Sequence, residues 1–132
     1  MKAEAGKSQV PQDTRKKLGA YGEQLALSLL EEAGYRILER NWRCRLGEMD
    51  LVAADDDTVV FVEVRTRRVT GSYGTSKESV DARKQAQVRK IALAYLHAKG
   101  RHDVRVRFDV VAIELDAATS DIRRIEHLKN AF

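Results

Sequence analysis

The chain has 132 residues, 43% hydrophobic and 33% charged, which excludes a disordered polyelectrolyte and provides for one domain with a normal core. Its 24 Lys and Arg exceed the 20 Asp and Glu by four; the cations gather at Arg36–Arg45, Arg65–Arg68, Arg83–Lys90 and Arg101–Arg107, a distribution that suits a polyanionic partner and an ordinary soluble surface about equally. One cysteine, Cys44, excludes an internal disulfide, and no run approaches a membrane span or a signal-peptide core, so the expectation is a cytoplasmic protein with no membrane partner.

Residues 1–13 hold polar residues and the one proline, Pro11, without periodicity, and read as a disordered tail. The remainder, 14–132, reads as a single domain. A first helix is expected from Thr14, with Leu18, Tyr21, Leu25, Leu29 and Ala33 at three- and four-residue spacing, stopped by Gly34. Glu23 falls at the flank of that stripe. Tyr35 to Arg43 reads as a strand, followed by a hairpin of Glu48–Asp55 and Thr58–Arg67 around an acidic turn. Val69 to Ser76, with Gly71 and Gly74, reads as a loop.

Thr75-x-x-Glu78 forms a capping-box pattern for a second helix running to about Lys99, with Val80, Lys84, Val88, Ile91, Ala92 and Tyr95 on one face. Val104 to Leu115 is a long strand and Asp121–His127 a short last one. A strand–helix–strand unit pairs in parallel as a rule. The predicted fold is therefore α/β, a mixed sheet flanked by helices in the order α-β-β-β-α-β.

Carboxylates stand inside the apolar hairpin strands. Strict alternation puts Glu48, Asp50, Val52 and Ala54 on one face, with Met49, Leu51 and Ala53 opposite. It also puts Phe61, Glu63, Arg65 and Arg67 together, so Glu48, Asp50 and Glu63 are expected to converge beside Arg65. Two carboxylates about 5 Å apart repel by roughly 3 kcal/mol at an effective dielectric near 20. Such a cluster requires a proton, an arginine or a divalent cation. Magnesium and manganese accept one or two carboxylates and complete their shells with water and phosphate. Acids with a cation on adjacent strands suit metal-assisted phosphodiester cleavage. Strand charges facing solvent, or ion pairs with Arg65 or Arg67, account for the same residues.

Asp50, a hydrophobic strand and then Glu63-Val64-Arg65 resemble the D…(D/E)-x-K signature of the restriction-endonuclease-like, PD-(D/E)xK, nuclease superfamily. Gly19-x-x-Gly22-Glu23, Gly34-Tyr35, Asn41-Trp42-Arg43, Gly47-Glu48-x-Asp50-Leu51, Phe61 to Arg67 and Lys84 together resemble the small bacterial YraN family, over most of the chain from Gly19 onward. The resemblance implies a nuclease-like protein acting on DNA or RNA with Mg2+ or Mn2+. Its implied metal ligands are Asp50, Glu63, Glu48 and Glu23, and a homodimer is a common state of such nucleases.

Arg65 stands where the superfamily has lysine. Arginine does not lose its proton, yet it holds phosphate bidentately. Lys84 is the surrogate amine, or else one more solvated helix charge. Asp50, Glu63, Arg65 and Lys84 are thus the candidate catalytic set, and Arg65, Arg67, Arg68 and Arg43 the candidate nucleic-acid contacts. Other readings remain for several: Glu48 as a turn cap, Glu23 as a partner of the helix dipole, Arg67 and Arg68 as a guard on a strand edge. Trp42 reads as core and the three histidines as surface. The alternative function is a non-catalytic nucleic-acid-binding module.

Overall fold

The computed structural model describes residues 14–70 and 80–132. The expected tail at 1–13, the Thr75-x-x-Glu78 box and most of the expected loop at 69–76 lie outside the described residues. The elements are α1 (Thr14–Glu32), β1 (Arg36–Cys44), β2 (Gly47–Asp55), β3 (Thr58–Val69), α2 (Ala82–Ala98), β4 (Arg105–Asp116) and β5 (Ile122–Leu128). They build one five-stranded sheet in sequence order, β1-β2-β3-β4-β5. β3 and β4 are parallel, joined through α2, and every other neighbouring pair is antiparallel. This is the mixed, helix-flanked α/β order that the periodicity predicts.

Two apolar layers sandwich the sheet. Leu51, Ala53, Val60, Val62, Val111 and Ile113 pack against Ala26 and Leu30 of α1. Met49, Val52, Val59 and Phe61 pack against Val88, Ile91, Ala92 and Tyr95 of α2. Fully burying each large aliphatic or aromatic side chain contributes about 1.5–3 kcal/mol. Both sheet faces are therefore occupied, and chemistry is confined to the sheet's ends and edges. Among the described residues no helix is long and apolar enough to cross a membrane.

Three local expectations are corrected. The stripe of α1 is rotated: Ala26 and Leu30 are fully buried, whereas Tyr21 is 44% exposed. Gly22 sets that rotation, because a Cβ there would overlap the Thr66 hydroxyl of β3. The missing side chain lets the helix backbone press onto the strand. Next, α2 is capped by Asp81, whose carboxylate accepts the Lys84 backbone N–H at 2.8 Å; Val80 and Asp81 precede the helix rather than belonging to it.

Finally, Met49 lies in the α2-side layer with Val52, while Leu51 and Ala53 lie in the α1-side layer. Strict alternation along β2 fails at Asp50. The β1–β2 ladder pairs Arg40 with Leu51 and Trp42 with Met49, skipping Asn41 and Asp50 between them. The β2–β3 ladder runs from Asp55–Thr58 to Leu51–Val62 and stops there. Asp50 thus stands where β2 leaves β3, at a fork in the sheet.

Candidate acidic site at the strand fork

Where β2 departs, β3 is left with an unmatched backbone donor. The Asp50 carboxylate accepts it: Val64 N–H to Asp50 Oδ2 is 2.8 Å. This contact turns Asp50 towards Glu63, the preceding residue of β3, which is 7% exposed. Burial, reinforced by the Glu63 charge, pushes the Asp50 carboxyl up to about 8, against the Val64 N–H that favours its ionised form. Burial also raises Glu63, opposed by the charges of Lys84 and Arg65 and by a hydrogen bond from Asp50. At neutral pH the two carboxyls therefore share a proton between them.

The cations arrive from two elements. Lys84, in the first turn of α2, places Nζ 3.6 Å from Glu63 Oε2. Arg65 follows Glu63 by two residues on β3 and acts on its charge. From the opposite layer, α1 contributes Glu23, whose charge reaches Asp50 and whose Oε1 accepts Asn41 Nδ2 at 2.9 Å. Four elements therefore meet at the fork, and both helices point a charged residue at it.

Glu48 goes elsewhere. It faces Arg43 across the β1–β2 ladder and pairs with it at 3.7 Å. The expected convergence of Glu48, Asp50 and Glu63 is thereby replaced by a pair, Asp50 and Glu63, with Glu23 as the further acid. Alternation failed to place Glu48 because it assumes a regular strand through Asp50. Among the described residues no three His, Cys, Asp or Glu side chains form a ligand set by themselves. Two hard carboxylates with an open side still match what magnesium or manganese takes from protein.

Of the remaining predicted cations, Arg67 is bound at 2.8 Å to Glu114, itself 4% exposed, and Arg68 donates to Ser120 Oγ at 2.8 Å. Arg65 lines two grooves that meet at the fork. One, of about 670 Å3, runs beneath the start of α2 between Arg65, Arg83, Lys84, Gln87 and Lys90. The other, of about 650 Å3, runs beside α1 between Gly19, Glu23, Glu63, Arg67 and Arg68. Trp42 is partly buried and packs against the α2-side core, edge-on to Tyr95 at 5.1 Å.

A second polar cluster escaped the sequence reading. Asp109, fully buried, takes Nε and Nη2 of the Arg107 guanidinium at 2.9 Å, His127 Nε2 at 2.7 Å and the Asn130 N–H at 2.9 Å. Arg107 continues to Tyr35 and Asp55. Burial alone would raise Asp109, but the bonds from His127 and Arg107 outweigh it and hold the carboxyl at about 2. His127 is therefore not a surface residue. The available signal was Asp109 itself, an acid in register with the buried Val111 and Ile113.

The element order and the helix-flanked mixed sheet define an α/β domain consistent with a restriction-endonuclease-like placement. The chain belongs to the family described as "Uncharacterised protein family UPF0102", which matches residues 22–113 and is the YraN family that the motifs resembled. It is 53% identical over 115 residues to a UPF0102 protein of Geobacter sulfurreducens, covering 87% of this chain and 88% of that one. A UPF0102 protein of Rhodococcus opacus is 51% identical over 115 residues, 87% and 95% of the two chains. One of Moorella thermoacetica is 48% identical over 119 residues, 90% and 98% of the two. Among solved structures, Pyrococcus furiosus SfsA in complex with Ca2+ is similar over 88% of this chain and 63% of that one, at 17% identity and a TM-score of 0.37. So low a score says nothing about chemistry.

Proposed function

We propose that this chain is a metal-dependent nuclease-like protein that binds nucleic acid and hydrolyses phosphodiesters. The observation that carries the reading is the pairing of half-buried Asp50 with buried Glu63 at the strand fork, with Lys84 and Arg65 beside it. Asp50 and Glu63 would hold the ion, magnesium or manganese, with Glu23 within electrostatic reach. Once bound, the ion supplies an activated water and neutralises developing charge. Displacing the shared proton is the chain's cost of loading it.

Arg65 stays charged at every relevant pH and presents a fork matched to phosphate oxygens. Lys84 supplies the amine that Arg65 does not, reaching Glu63 from a helix instead of from the strand. The groove of Arg65, Arg83, Lys84 and Lys90 gives a polyanionic strand a basic path to the fork. DNA and RNA fit this chemistry equally.

Incubation of the protein with duplex, single-stranded and branched substrates in manganese or magnesium tests the reading. Cleavage that falls at least a hundredfold in Asp50→Ala and Glu63→Gln is expected. No cleavage of any substrate, with Asp50→Ala indistinguishable from the parent, overturns catalysis. One observation favours a binding module without chemistry: the Lys84 ammonium already compensates Glu63. That reading expects binding that weakens steeply with salt and is unchanged by divalent ions or by Glu63→Gln.

A further inference from the structure

The fork has a local cause, and it lies on the neighbouring strand. Asn41 of β1 has φ 50, the left-handed region that asparagine tolerates better than other residues with a Cβ. In a regular strand, consecutive side chains leave on opposite faces. Here Arg40 and Asn41 both reach α1: Arg40 Nη2 donates to Gln24 Oε1 at 3.3 Å, and Asn41 Nδ2 to Glu23 Oε1 at 2.9 Å. Directly across, the ladder omits the Asn41–Asp50 rung while keeping Arg40–Leu51 and Trp42–Met49. The parity of β2 breaks at the same level, sending Met49 and Leu51 into different layers. One irregularity therefore does two things: it aims an amide at Glu23, and it frees Asp50 from β1 so that its carboxylate can turn to Val64 N–H.

We infer that Asn41 is the positioning residue of the acidic site, its left-handed backbone releasing Asp50 from the sheet and its side chain fixing Glu23 beside it. The Asn41 amide presents its NH2 group to Glu23 Oε1. The inference rests on Asp50, Glu63 and Glu23 acting as one site. It assigns Asn41 no contact with substrate or ion.

The two roles separate by substitution. Asn41→Gly keeps access to the left-handed backbone and loses the amide; Asn41→Ala loses both. In the metal-free protein, the Val64 amide reports the Asp50 contact by its NMR shift and hydrogen exchange. Asn41→Gly is expected to leave that amide protected, and Asn41→Ala to speed its exchange at least tenfold. In calorimetric manganese titrations, Asn41→Gly and Glu23→Gln are each expected to weaken binding about tenfold, as residues that orient ligands do. The double variant is expected to be no weaker than Glu23→Gln alone, because Asn41 acts only by positioning the Glu23 carboxylate. A Val64 amide indifferent to Asn41→Ala, or losses that multiply in the double variant, overturns the inference. Should Asn41→Ala fail to fold, the Gly and Gln cycle decides. Should the parent take up no manganese, the metal reading fails, and the positioning role is judged on the Val64 amide under Asn41→Gly and Asn41→Ala.

Discussion

Asp50 is a carboxyl that the fold holds protonated, and that has a measurable consequence for stability. Its folded value near 8 exceeds the ordinary 3.8, so the native state binds a proton that the unfolded chain gives up above pH 4. Stability from this group is full below about pH 4 and is lost as pH rises through about 8. Asp50→Asn keeps an acceptor for Val64 N–H without the charge. In the absence of metal, it is expected to raise stability at pH 8 by on the order of 2 kcal/mol and to change little at pH 4. Denaturant melts at the two values check this; a destabilised variant at pH 8 would mean that Asp50 serves as an internal ion-pair partner. The pair itself was legible in the sequence, since an acid within an apolar strand needs a reason. The place of Glu48 was not, because nothing in the alternation announces a skipped rung. Asn41 is the residue whose type permits one.

Among the elements, order and type follow from hydrophobic period, and the errors have local causes. The stripe of α1 is displaced because Gly22, which periodicity ignores, is a point of close approach to β3. Gly22→Ala gains about 1 kcal/mol of helix propensity but meets the Thr66 hydroxyl. A net loss of about 1–3 kcal/mol is expected, with much of it recovered by adding Thr66→Ala. Thermal melts of the single and double variants measure both; a neutral Gly22→Ala would show that α1 is free to lift. Because Glu23 adjoins Gly22, the same displacement is expected to draw Glu23 from the fork. The start of α2 shifts likewise for a local reason: Asp81 caps it through Lys84 N–H, fixing the backbone of the residue whose ammonium meets Glu63.

For the molecule as a whole, half-buried Asp50 and buried Asp109 pull stability in opposite directions with pH. Asp109 is held at about 2 by His127 and Arg107 against its burial. Its contribution is present above the unfolded value of 3.8 and disappears as pH falls through about 2. Together with the opposite slope from Asp50, the metal-free protein is expected to be most stable at about pH 4–5. Asp109→Asn leaves Arg107 short of its partner and is expected to cost about 3–5 kcal/mol at pH 7. Manganese affinity should stay as in the parent, since the fork shares no residue with this cluster. Chemical denaturation with parallel calorimetry separates the two effects, and an equal loss of metal affinity would show that the clusters communicate. Neither the ties of Asp109 to β5 nor the Arg67–Glu114 pair was legible in the sequence, because partners 18 and 47 residues apart meet only once the sheet is complete.

The rungs between β2 and β3 end at Leu51–Val62, and this shapes how the chain reaches its native state. A hairpin zips outward from its turn, so the rungs nearest Asp55–Thr58 close early and need no acid to be buried. The crowded charges lie past the last rung and come together only when α2 and α1 dock. Substitutions at the fork are therefore expected to change the unfolding rate more than the folding rate.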